Sequence, residues 1–89
     1  MAKLIKKGDY LLCLKDDYDQ YNSARNDIKK GIIVKVERAY KKTIWGTYVI
    51  NTLDGEIYSQ NTNYKLRCWG IPISSFRKLT EGELAAYLL

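Results

Sequence analysis

The strongest strand signal in the chain is Thr43-Ile44-Trp45-Gly46-Thr47-Tyr48-Val49-Ile50. It is a run of β-branched and aromatic residues that suits a pleated, half-buried surface. Gly46 inside it predicts a bulge or a close backbone approach. Gly31-Ile32-Ile33-Val34-Lys35-Val36-Glu37-Arg38 is a second such run. There Ile32, Val34 and Val36 share one face and Lys35 and Glu37 the other, as a period of two requires. Tyr40-Lys41-Lys42 reads as a basic turn. A chain built around such runs is expected to be mainly β.

The flanking segments fit that frame. Tyr10-Leu11-Leu12-Cys13-Leu14-Lys15, entered through Gly8-Asp9, reads as a buried strand. Asp16 to Asp27 is polar and reads as a loop of about a dozen residues, long enough to suggest a role beyond connection. Asn51-Thr52-Leu53-Asp54-Gly55 is a hairpin turn, because Asp-Gly supplies positive φ angles, and Glu56–Gln60 is its return strand. Asn61-Thr62-Asn63 is a second polar break. Tyr64 to Trp69 alternates like another strand, ended by Gly70 and Pro72. Ile73-Ser74-Ser75-Phe76 reads as one tight helical turn before a short strand, Arg77-Lys78-Leu79. Thr80-Glu81-Gly82-Glu83 fits a capping box. The helix it opens, about 81–88, is too short to stand alone.

The 89 residues give room for one domain and one core, 1–89. A chain this short buries roughly 60–65% of its unfolded surface, which leaves little volume for an enclosed substrate cavity. Cys13 and Cys68 lie in apolar strand-like contexts and are expected to be buried free thiols. A disulfide would need an oxidising compartment. Ala2 to Tyr10 is too polar for a signal-peptide core, and no apolar run approaches the ~18 residues that span a bilayer. The expected setting is the cytoplasm, with no membrane partner.

The absence of histidine removes the commonest general base near neutral pH, and with it Ser-His-Asp and Cys-His arrangements. Two distant cysteines do not make a zinc site. Asp16, Asp17 and Asp19 suggest a divalent-metal loop, but Asn22 and Ile28 stand where an EF-hand needs Gly and Glu. No cofactor or metal is expected, and the scattered glycines build no phosphate-cradling loop. The expectation is a non-catalytic protein.

The order of elements resembles the SH3-like barrel, and in particular small SH3-like proteins encoded by tailed phages. A turn-opened strand, Lys7-Gly8-Asp9-Tyr10-Leu11-Leu12, precedes a long polar loop and a strand entered through Gly31. A hairpin then closes on Asp54-Gly55, and a one-turn helix leads to Ser74-Ser75-Phe76-Arg77-Lys78-Leu79. The resemblance covers roughly residues 7–79. It implies a small barrel of about five strands followed by a short C-terminal α-helix. It also implies a protein of the host cytoplasm that binds nucleic acid or binds and disables a host protein. Lys7-Gly8-Asp9 also resembles the opening of small barrel ribonuclease toxins. Such an enzyme would use Arg25 or Arg38 with a carboxylate, and nothing in the sequence places that pair together.

Two binding surfaces are legible. The net charge is +5, from 15 basic and 10 acidic residues, and such an excess favours polyanions. Lys29, Lys30, Lys35, Arg38, Lys41 and Lys42 are candidates for phosphate, with Tyr40 and Trp45 for stacking on DNA or RNA bases. The alternative is a protein-binding groove in the acidic, aromatic loop at Asp16, Asp17, Tyr18, Asp19 and Tyr21. Leu84, Leu88 and Leu89 would dock on the barrel of a monomer, or against a second chain in a small homo-oligomer.

Overall fold

A computed structural model describes residues 5–18, 27–58 and 67–88. Along the chain run β1 (Tyr10–Cys13), β2 (Asp17–Tyr18), β3 (Asp27–Ile28), β4 (Ile32–Ala39), β5 (Thr43–Asn51) and β6 (Arg67–Pro72). A 3₁₀ turn (Ile73–Ser75), β7 (Phe76–Lys78) and α1 (Glu81–Leu88) follow. Five strands make one antiparallel sheet in the order β6-β5-β4-β1-β7, and β2 and β3 form a separate two-stranded ladder. The fold is therefore mainly β, with one short C-terminal helix among the described residues. This order, with a 3₁₀ turn before the last strand, is compatible with an SH3-like barrel.

Alternation sorts side chains onto two faces. Leu11, Cys13, Ile28, Ile32, Val34, Val36, Ile44, Cys68, Ile71 and Phe76 form the main core on the inner face. The outer face carries a second cluster of Ile33, Ile50 and Leu79, with Tyr10, Leu12, Val49 and Leu84 packed around it. Leu84 belongs to α1, so the helix docks on its own sheet, as its length demands. The radius of gyration is 12.1 Å, close to the value of about 12 Å expected for a compact body of this length.

Three irregularities set which residues face outward. Ile33 pairs with Ile50 and Val34 with Tyr48, leaving Val49 extra on β5. Val36 pairs with Gly46 and Arg38 with Trp45, leaving Glu37 extra on β4. Between β5 and β6, Ile44 pairs with Ile71 and Gly46 with Cys68, so Trp45 stands opposite both Trp69 and Gly70. Each extra residue breaks the alternation and keeps two successive side chains near one face. Gly46 has the close approach expected of it. A Cβ there would meet the Lys35 carbonyl oxygen at 3.1 Å and Val34 Cβ at 3.2 Å.

Some boundaries differ from expectation. The polar segment after β1 is not simply a loop, because its ends zip into β2 and β3: Asp17 pairs with Ile28 and Tyr18 with Asp27. In the described part of the return limb, Glu56 to Tyr58, there is no continuous strand, and Ser59 and Gln60 lie outside the described residues. Ile57 makes an isolated bridge to Ile50, and Tyr58 N–H donates to the Val49 carbonyl at 2.9 Å. β6 already covers β5 from Thr43 to Thr47, which leaves only the end of β5 for the return limb. Gly70 and Pro72 do not end the alternating segment; β6 runs through both. Gly70 takes φ 65° and forms the bulge, and Pro72 is tolerated on an edge strand, where a missing N–H costs no ladder bond.

Both cysteines are buried and free. Burial pushes the Cys68 thiol up to about 12. It also raises Cys13 above the ordinary thiol value, and the Cys13 thiol donates to the Lys15 carbonyl at 3.0 Å. Among the described residues no helix is long and apolar enough to cross a membrane.

Candidate nucleic-acid interface

The outer face divides in two. Next to β1 and β7 it is apolar and touched by α1 through Leu84. Across β4, β5 and β6 it is polar and aromatic. There the register lines up Lys35, Thr47 and Arg67 on three adjacent strands. Beside that row, Trp45 and Trp69 meet edge to face with ring centroids 5.1 Å apart and planes at 71°. The Arg38 guanidinium lies 5.5 Å from the Trp45 ring centroid, within cation–π range. Both indoles are half-buried and Arg38 is exposed.

Two bulges create this cluster. The extra Glu37 lets Arg38 rise on the same side as Trp45 rather than turning toward the core. The αL backbone of Gly70 lets Trp69 stand opposite Trp45 while Cys68 and Ile71 stay inside. The Trp69 indole nitrogen is buried without a hydrogen-bond partner among the described residues. Such an orphan donor costs about 1–3 kcal/mol, so the paired indoles are not a simple optimum of stability. Glu37, the one carboxylate among the described residues of β4, β5 and β6, accepts a hydrogen bond from the Thr47 hydroxyl at 3.3 Å.

The basic turn at the end of the hairpin adjoins this face. Tyr40 N–H donates to the Thr43 carbonyl at 2.9 Å, and Ile73 N–H donates to the Lys42 carbonyl at 2.9 Å. The backbone of Lys41 and Lys42 is thereby fixed while their side chains remain exposed. Tyr40 is 54% exposed, enough ring to stack. Gly8 N–H bonds the Val36 carbonyl at 2.8 Å, bringing the Lys6-Lys7 turn beside the same half of β4.

The sequence candidates are thus not one patch. Arg38, Tyr40, Lys41, Lys42 and Trp45 gather at one end of β4, and Lys35 lies along it on the outer face. Lys29 and Lys30 sit beyond the other end, roughly 25 Å away at about 3.3 Å per residue. Their surroundings are acidic: Lys29 Nζ lies 3.9 Å from Asp16 Oδ2, and Lys30 N–H donates to Asp16 Oδ1 at 2.7 Å. Arg67 and Trp69 complete the cluster although neither was among the candidates. Their signal was present in Arg67-Cys68-Trp69, where a buried cysteine between two polar-faced residues puts both on one side.

The acidic loop has internal uses. Asp16 holds the Lys30 backbone. The Asp17 carboxylate accepts a short hydrogen bond from the fully buried Ser75 hydroxyl, tying the β2–β3 ladder to the 3₁₀ turn. The Tyr18 backbone lies in β2, whereas Asp19 and Tyr21 lie outside the described residues, as does Arg25. Among the described residues no group of three or more His, Cys, Asp or Glu gathers as a metal site would.

The chain matches no protein-family model, no curated protein and no solved structure.

Proposed function

We propose that this protein is a non-catalytic binding module that takes nucleic acid on the outer face of β4, β5 and β6. The observation that supports it best is the cluster of Arg38, Trp45 and Trp69 with Lys35 and Arg67 alongside and Lys41 and Lys42 at its rim. Cations at this spacing hold phosphates, and a partly exposed aromatic beside them stacks on bases. Among the described residues of these strands the five basic groups are accompanied by a single carboxylate, Glu37, already engaged by Thr47. The other reading is a module encoded by a phage that captures a host protein through Asp16, Asp17, Tyr18, Asp19 and Tyr21. It is less favoured because Asp16 and Asp17 already hold Lys30 and Ser75.

The test is a salt titration. Binding of the purified chain to a fluorescent oligonucleotide is followed by anisotropy as salt is raised. The proposal expects log K to fall linearly with log salt, with a slope of about −0.7 for each phosphate contact on a single strand. No binding to single-stranded or duplex oligonucleotides at low salt would refute it.

A further inference from the structure

We infer that the face selects single-stranded over duplex nucleic acid, a claim that rests on the nucleic-acid reading and sharpens it. The platform lies on the open part of a sheet face. Trp45 can offer its π-surface only to a base whose own face is free, and in a duplex the neighbouring pairs cover it. The exposed Arg38 guanidinium lies over the Trp45 ring, 5.5 Å from its centroid, so a base entering the stacking position meets the indole and a cation together. That combination suits a base together with its adjoining phosphate.

The elements that read duplexes are poorly placed for it. A major groove about 8.5 Å deep admits a projecting helix or a two-stranded ribbon. α1 lies against the sheet through Leu84, and its first turn carries Glu81 and Glu83 with no basic residue in its last turn. The β4–β5 tip does not project either. Thr43 is paired with Pro72 and the Lys42 carbonyl is held by Ile73, so β6 and the 3₁₀ turn stand flush with the lysines. Within the cluster, Trp69 is a positioning residue: its indole nitrogen is buried, and its edge-to-face contact with Trp45 sets the attitude of that ring.

The experiment compares the intact chain on labelled single-stranded DNA, single-stranded RNA and duplexes of each, all of about 12 nucleotides, at one ionic strength. Either single strand is expected to bind at least about tenfold tighter than its duplex, and the DNA and RNA arms show which sugar is preferred. Trp45→Leu keeps apolar volume without a π-face and should lose about tenfold on single strands. Trp45→Phe should retain most of it, with circular dichroism confirming that both variants fold. Duplex binding as tight as single-strand binding overturns the inference and leaves the nucleic-acid reading intact. So does unchanged affinity of folded Trp45→Leu. Failure of every oligonucleotide to bind overturns both.

Discussion

Gly70 is the residue on which the paired indoles most depend. At φ 65° an L side chain is strained by roughly 1–2 kcal/mol. Gly70→Ala should lower stability by about that amount and change tryptophan emission as the Trp45–Trp69 contact loosens. Chemical denaturation and fluorescence read both effects. Ser75 makes a different demand. Its fully buried hydroxyl serves the Asp17 carboxylate, and Ser75→Ala should cost about 1–3 kcal/mol because the carboxylate loses a donor. The denaturation midpoint should fall, and full stability in Ser75→Ala would show that the bond contributes little. The thiols carry a pH dependence of definite sign. Cys13 and Cys68 lose their protons at 9.0 when unfolded but at higher pH when folded, Cys68 at about 12. Their contribution is fully present below pH 9 and is lost as pH rises toward the folded values. Stability measured from pH 8 to 11 should therefore decline across that window, and less steeply in Cys68→Ala relative to its own value at pH 8.

At the scale of elements, α1 is the least self-sufficient. Its start is a reciprocal capping box: Glu83 N–H donates to Thr80 Oγ1 at 3.2 Å, and Thr80 N–H donates to Glu83 Oε1 at 3.1 Å. The same Glu83 carboxylate meets Arg77 of β7 at 2.6 Å. The hydrogen bond from Arg77 holds Glu83 below the ordinary carboxylate value, with the Thr80 backbone bond second. A depressed acid stabilises above its unfolded value of 4.5 and loses that effect as pH falls through the folded one. Amide chemical shifts of Thr80 and Glu83 should report loosening of the cap below pH 4.5, and Glu83→Gln should abolish that titration. Leu84→Ala should cost about 2 kcal/mol or less, since the side chain is only partly buried, and should raise hydrogen exchange in α1 more than in β4 or β5.

Across the whole molecule, local chemistry was legible in the sequence and long-range registration was not. The β-branched runs announced β4 and β5, Thr80 and Glu83 announced the cap, and Gly46 announced a close approach. These signals depend on neighbours in the chain. The bulge at Glu37 was invisible because it arises only when Val36 and Arg38 are paired with Gly46 and Trp45. The same holds for β6, where Gly70 and Pro72 read as terminators until an edge position makes them tolerable. The candidate site suffered likewise. Lysines close in sequence, Lys29 and Lys30 against Lys41 and Lys42, fall at opposite ends of a strand. Arg67 and Trp69, distant in sequence, join Arg38 and Trp45 through β5.

That division of charge gives the most direct test of the proposed interface. Lys41→Glu with Lys42→Glu, and Lys29→Glu with Lys30→Glu, lower the net charge by equal amounts at the two ends of β4. Affinity for a single-stranded oligonucleotide would be measured over a range of salt for both double variants and the parent chain. The first pair should bind at least about tenfold more weakly and reduce the salt slope by about 1.4, the value for two lost phosphate contacts. The second pair should keep most of the affinity and the parent slope. Equal losses from both pairs, or a larger loss from Lys29 and Lys30, would contradict an interface on the Arg38–Trp45–Trp69 face.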